Sequence, residues 1–183
     1  PGGFAVEATE IQQEGLRLPV VKIRDRGVLC EDMIDVILNN IRVPEQRIGD
    51  IKAQMGALNV GARRLTSFLD RYGADTVDAA IEEMKLRSER MMRSYIERIP
   101  DGVYEFSSDL DSDGVENKPL TVHVQIEVKG SDLVFDFSGS SPPCKGPMNS
   151  VWAITRSAVY IAVKHIFPDV PVNAGCFKPL DIR

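Results

Sequence analysis

Few residues in this chain are of a type and spacing that does chemistry. Asp109, Asp111 and Asp113, followed by Gly114, repeat the first half of a calcium loop, where alternating carboxylates converge on one hard cation and glycine permits the sharp turn. The twelfth position of such a loop calls for a bidentate glutamate, and Leu120 stands there. An acidic turn closed by Asx hydrogen bonds is therefore expected instead. His123 falls in an alternating strand and His165 on a late helix, with no carboxylate at metal-ligand spacing beside either. Each reads as an ordinary, partly buried histidine. Cys30, Cys144 and Cys176 are odd in number, far apart and without a C-x-x-C pair, so neither a disulfide framework nor a zinc knuckle is indicated. No G-x-S-x-G elbow, G-x-x-x-x-G-K-[ST] loop or G-x-G-x-x-G turn occurs, which leaves the catalytic residues unassigned and no metal site expected.

What remains is a set of polar residues at element junctions: Glu14, Arg17, Asp50, Asn149, Arg156 and Asn173. Asn149 and Arg156 flank the start of the last predicted helix and Asn173 sits beside a glycine. Backbone N–H groups and a guanidinium at such places can jointly hold an anionic or carbonyl ligand. Capping and structural hydrogen bonds account for the same residues equally well.

The elements that position them fall into three zones, 1–28, 29–100 and 101–183, read as one partial domain. In the first, the alternation of Leu16-Arg-Leu-Pro-Val-Val-Lys-Ile23 predicts an extended strand, and Arg24 to Gly27 a turn. In the second, Met33, Ile34, Ile37, Leu38 and Ile41 mark a short helix, and Pro44 stands where a new one begins. That helix carries apolar residues to Tyr72 and stops at Gly73. Gly49, Gly56 and Gly61 inside it each cost about 1 kcal/mol relative to alanine, and close helix packing is the expected reason. Val77, Ile81, Met84, Ser88, Met91, Tyr95 and Ile99 form the seam of a third helix, and the two long helices are predicted to make an antiparallel hairpin. Glu83 with Arg87, and Glu89 with Arg93, read as a solvated face.

The third zone predicts strands at Val103–Phe106, Leu120–Val128 and Leu133–Phe137, the last two joined by a tight loop at 129–132. A loop rich in proline and glycine over 138–147, a helix over 151–166 and a final strand follow. The fold class is thus α+β, a long antiparallel helical hairpin packed beside a mixed, largely antiparallel sheet, in a fragment of a larger domain.

With 22 basic and 27 acidic residues the net charge is −5, which argues against a nucleic-acid partner. No apolar run approaches the ~18 residues that span a bilayer, and no secretory leader opens the chain, so a cytoplasmic protein is expected. Pro1-Gly2-Gly3 in place of an initiator methionine, and an end at Leu180-Asp-Ile-Arg183, read as a piece of a longer chain.

Ala8-Thr-Glu-Ile-Gln-Gln-Glu-Gly-Leu-Arg-Leu-Pro-Val-Val-Lys22 closely resembles a stretch of the hydantoinase B/5-oxoprolinase family. Gly49-Asp50-Ile-Lys-Ala-Gln54, Arg71-Tyr-Gly73, Ile99-Pro-Asp-Gly102, Asp111-Ser-Asp-Gly114, Asp136-Phe-Ser-Gly-Ser140, Thr155-Arg-Ser-Ala-Val-Tyr160 and Val172-Asn-Ala-Gly-Cys-Phe177 follow in the family's order. The resemblance implies an internal portion of the B-type subunit of an ATP-dependent cyclic-amide hydrolase, of the hydantoin or 5-oxoproline type, working with a hydantoinase A-like subunit that handles ATP. It also implies an alternative within the family, an ATP-dependent carboxylase of ketones such as acetone or acetophenone. In both, ATP would activate an amide or enolate oxygen, and the B-type subunit would complete hydrolysis or C–C bond formation. Many members carry a motif with histidine and aspartate just before the stretch matching Pro1-Gly2-Gly3. The chain begins at that stretch, so a divalent metal belongs to the parent complex, and His123 and His165 do not align with its ligands. From a different class comes a third reading, a non-catalytic assembly module whose hairpin docks the A-type partner.

Overall fold

The computed structural model describes residues 7–183, which fall into two compact units meeting at Ala74/Asp75. In the first unit a 3-10 turn at Ile11–Gln13 is followed by a two-stranded ribbon, β1 (Arg24–Asp25) and β2 (Val28–Leu29). Arg26 and Gly27 both have positive φ, 46° and 89°, the backbone that a two-residue hairpin turn needs to match strand twist. The strand predicted over 16–23 does not form: among the described residues no second strand runs beside 16–22 to take its hydrogen bonds, although the Ile23 carbonyl accepts from the Cys30 N–H at 3.0 Å, and Val20 is wholly exposed. Helix α1 (Glu31–Asn39) forms as its periodicity requires, burying Ile34 and Ile37.

Helix α2 (Pro44–Tyr72) starts with proline at its first turn and ends at Gly73, whose φ of 79° favours glycine and whose N–H is bonded to the Leu69 carbonyl at 2.9 Å. It buries no residue within its unit. Its three internal glycines have open space where a Cβ would stand, so no close packing among the described residues accounts for them.

In the second unit, α3 (Ala74–Ile96) leads into β3 (Gly102–Leu110), β4 (Leu120–Lys129) and β5 (Asp132–Asp136), then α4 (Trp152–Ile166) and β6 (Leu180–Ile182). The sheet order is β3-β4-β5-β6, with the first two pairs antiparallel and β5–β6 parallel. The architecture is therefore α+β with a mixed, largely antiparallel sheet. Val159 and Val163 of α4 join Val128, Leu133, Phe135 and Ile182 of the sheet in one core, with Met92 and Ile96 of α3. The line of α3 that is fully buried is Ser88, Met92 and Ile96; from the predicted seam, Met91, Tyr95 and Ile99 flank it, while Ile81 and Met84 are exposed. No helix among the described residues is long and apolar enough to cross a membrane.

Candidate functional site

Strand β5 covers β4 only from Gln125 onward, which leaves the other half of that edge without a strand partner. Serine side chains take over there. Ser140 Oγ accepts from the His123 N–H and donates to the His123 carbonyl, both at 3.0 Å. Ser141 Oγ accepts from the Thr121 N–H at 2.9 Å, and the Ser141 N–H returns to the Thr121 carbonyl at 2.8 Å. Gly139 is needed in this loop because a Cβ would lie 2.4 Å from the His123 ring.

The loop then bends away from the sheet and encloses a cleft of about 540 Å³. Leu110, Leu120 and Val122 form its floor, Met148 and Asn149 one wall, and Ile154 and Thr155 of α4 the other. Its lining carries no charged side chain.

Asp113 braces that wall. Only 2% exposed, its carboxylate accepts from the Val115 and Glu116 N–H groups of its own turn at 2.8 and 2.6 Å, and from those of Lys145 and Gly146 at 3.1 and 2.9 Å. These backbone donors, led by Glu116, outweigh the opposing effect of burial and hold the carboxyl at about 2. Gly146 fits so closely that a Cβ would lie 1.9 Å from the Asp113 carbonyl oxygen. Asn149 completes the brace, its Oδ1 accepting from the Cys144 N–H at 2.9 Å and its Nδ2 donating to the carbonyls of Cys144 and Gly146.

The Asx turn expected at Asp113 is thus present, but its carboxylate also ties down a loop more than thirty residues away. Residue type carries no signal for that second half, since any residue but proline offers an N–H. His123 is half-buried, with Nδ1 2.8 Å from Ser107 Oγ. His165 is exposed rather than partly buried, its ring nitrogen 2.8 Å from the Ile161 carbonyl one turn back.

The six junction residues are placed as follows. In the first unit, Glu14 ends the 3-10 turn, its N–H bonded to the Ile11 carbonyl; it and Arg17 are exposed, and Asp50 pairs with Arg47 at 2.8 Å. In the second unit, Asn149 lines the cleft, whereas Arg156 and Asn173 do not. The Arg156 guanidinium lies over the Tyr160 ring, 5.4 Å from its centroid, and reaches the Tyr160 hydroxyl. Asn173 donates from Nδ2 to Ser88 Oγ at 2.7 Å and accepts at Oδ1 from the Gly175 N–H at 2.8 Å. Both side-chain ends of Asn149 and of Asn173 are therefore engaged with the chain's own atoms. Among the described residues, no three His, Cys, Asp or Glu side chains are grouped to hold a metal ion.

A braced, uncharged cleft beside an antiparallel sheet defines an architecture, not yet a chemistry. The chain belongs to the hydantoinase B/oxoprolinase family, whose profile it matches over residues 1–183. It is 36% identical, over its whole length, to the caprolactamase subunit beta of Pseudomonas jessenii, of which it covers 31%. It is 28% identical over its whole length to the acetophenone carboxylase delta subunit of Aromatoleum aromaticum, covering 27% of that protein. The crystal structure of the ATP-dependent caprolactamase from Pseudomonas jessenii superimposes with a TM-score of 0.87 and 34% identity over 97% of this chain, which corresponds to 31% of that one. The chain thus spans about a third of the length of the curated relatives it matches.

Proposed function

We propose that residues 1–183 form part of the B-type subunit of an ATP-dependent cyclic-amide hydrolase, acting with an A-type subunit that handles ATP. The observation that carries this reading is the 36% identity to a caprolactamase subunit along the entire chain, joined to the same fold. A cyclic amide resists water because its carbonyl is resonance-stabilised. Phosphorylation of the carbonyl oxygen would remove that protection, and the B-type subunit would then have to hold the developing oxyanion and the product carboxylate. Of the six junction residues, Arg156 is the best suited, since its guanidinium is exposed, always charged and fork-shaped for oxygen pairs.

The identity to an acetophenone carboxylase subunit supports a second reading, a ketone carboxylase of the same family. The two separate in one assay on the intact complex. ATP hydrolysis is measured with caprolactam, hydantoin and 5-oxoproline, then with acetone and acetophenone in labelled bicarbonate. Amide-dependent turnover without carbon fixation is expected. Ketone-dependent fixation would replace the first reading with the second, and no stimulation by either class would defeat both.

A further inference from the structure

Helix α4 covers only part of the sheet's width. The cross-strand register sets Tyr104 opposite Ile126, Phe106 opposite Val124 and Leu110 opposite Leu120, so these pairs share one face. Core residues Val128, Leu133 and Phe135 lie on that same face, under α4. Tyr104, Phe106 and Leu110 remain 45%, 69% and 44% exposed. Along α4, Ile154, Ala158, Ala162 and Ile166 recur every fourth residue and form an exposed stripe on the β3 side of Val159 and Val163.

The cleft described above lies where Ile154 and Ala158 meet Leu110 and Val122. A second cavity, of about 220 Å³, lies where Ala162 and Ile166 meet Tyr104 and Ile126. Ala158 lines the first and Ala162, one turn further along α4, lines the second, so both lie along one side of α4 and together outline a groove with β3 and β4 as its floor and the α4 stripe as its wall. From Ile154 to Ile166 the helix rises about 18 Å, at ~1.5 Å per residue.

We infer that this groove is the seat of a second helix, supplied by the part of the subunit outside residues 1–183, lying beside α4 on the β3 half of the sheet. Three observations choose this occupant. Neither cavity is lined by a charged side chain, the composition of a permanent core, whereas interfaces that open and close keep a polar rim. No buried side-chain nitrogen or oxygen among the described residues lacks a partner, so no buried polar atom points to a small ligand. The matching caprolactamase chain devotes only 31% of its length to this fold, which leaves ample chain to supply a helix. Ala158 and Ala162 at the middle of the stripe let its backbone approach closely. The occupant is accordingly a helix of at least three turns with one uncharged, apolar face.

This inference rests on family membership and stands apart from the choice between amide and ketone. The test places the photo-crosslinking residue p-benzoylphenylalanine at Phe106, and separately at Ile154, in the complete subunit assembled with its partner. Crosslinked peptides are then identified by mass spectrometry. Both positions are exposed, at 69% and 61%, so folding of residues 1–183 does not depend on them. The expected result is that both crosslink to one segment of the same polypeptide, outside residues 1–183, with apolar residues at helical spacing. Crosslinks to the partner subunit or to a second copy would overturn the inference. So would the absence of any crosslink to a segment outside residues 1–183, at either position.

Discussion

Replacing Asn173 with alanine separates a structural asparagine from a ligand-holding one. Its side chain makes two short hydrogen bonds, to Ser88 Oγ at 2.7 Å and from the Gly175 N–H at 2.8 Å, and Ser88 is only 2% exposed. Asn173→Ala leaves a buried hydroxyl and a buried N–H without their partners, each worth about 1–3 kcal/mol. Some of that returns when Ser88 turns toward the carbonyl one helical turn back, so roughly 2–4 kcal/mol should be lost overall. With a urea dependence near 2 kcal/mol per molar, the unfolding midpoint should fall by about 1–2 M. Trp152, the single tryptophan, lies in α4 of the same unit and reports that transition by fluorescence. Ser88→Ala alone should cost less, and the double variant should be less destabilised than the sum of the two by about 1 kcal/mol. A midpoint unchanged to within about 0.5 kcal/mol, with turnover of the intact complex abolished, would refute this reasoning and return Asn173 to the substrate.

Three further outcomes are expected. Gly146→Ala places a Cβ 1.9 Å from the Asp113 carbonyl oxygen, so the loop must part from the turn; a loss of about 1–3 kcal/mol should appear in the same urea assay, with faster amide exchange at residues 144–146. Asp113 is held at about 2, below its ordinary 3.8, so its contribution is fully present above the ordinary value and is lost as pH falls through the native one. Between pH 4 and 2 the stability of the wild type should therefore fall more steeply than that of Asp113→Asn, as read from urea midpoints. Arg156→Ala should leave stability within about 0.5 kcal/mol, as for an exposed cation over one ring, yet reduce turnover of the intact complex at least tenfold; unchanged turnover would remove Arg156 from the proposed role.

Periodicity made most of the second unit legible. The strict alternation of Leu120–Val128 and the tight loop after it gave β4 and β5, because side-chain period and turn chemistry are local properties; their register, with Lys129 opposite Asp132, came from the structure. The end of α2 was equally legible, since Gly73 supplies a positive φ that other residues adopt reluctantly. The strand expected over 16–23 failed because a strand needs a neighbour, and alternation says nothing about whether one exists. The glycines of α2 failed in the opposite sense, having been given a packing role that requires contacts the helix does not make in its own unit. In α3, heptad spacing identified Ser88 in the buried line and Met91, Tyr95 and Ile99 on its flank, but missed Met92 and Ile96. A shift of one position along a helix turns the face by ~100°, and only the partner surface fixes which side is inward.

The site divides along the same line between what is local and what is not. Asn149 and Asn173 were singled out as polar residues at junctions, and both sit at junctions, but the groups they bond, backbone atoms of the 144–146 loop for Asn149 and the Gly175 N–H with the distant Ser88 hydroxyl for Asn173, are brought there by the fold and announced by no local pattern. Asp113 was legible as a turn residue and illegible as a brace, for the same reason. The groove between α4 and β3 follows from the same logic at a larger scale. An exposed apolar face such as Tyr104, Phe106 and Leu110 is costly for a finished domain, and a strand edge of nine residues invites pairing with another chain. A sequence keeps such a face when something permanent covers it. In a family with members such as the caprolactamase subunit, of which this chain covers 31%, the remainder of the same subunit is the economical cover.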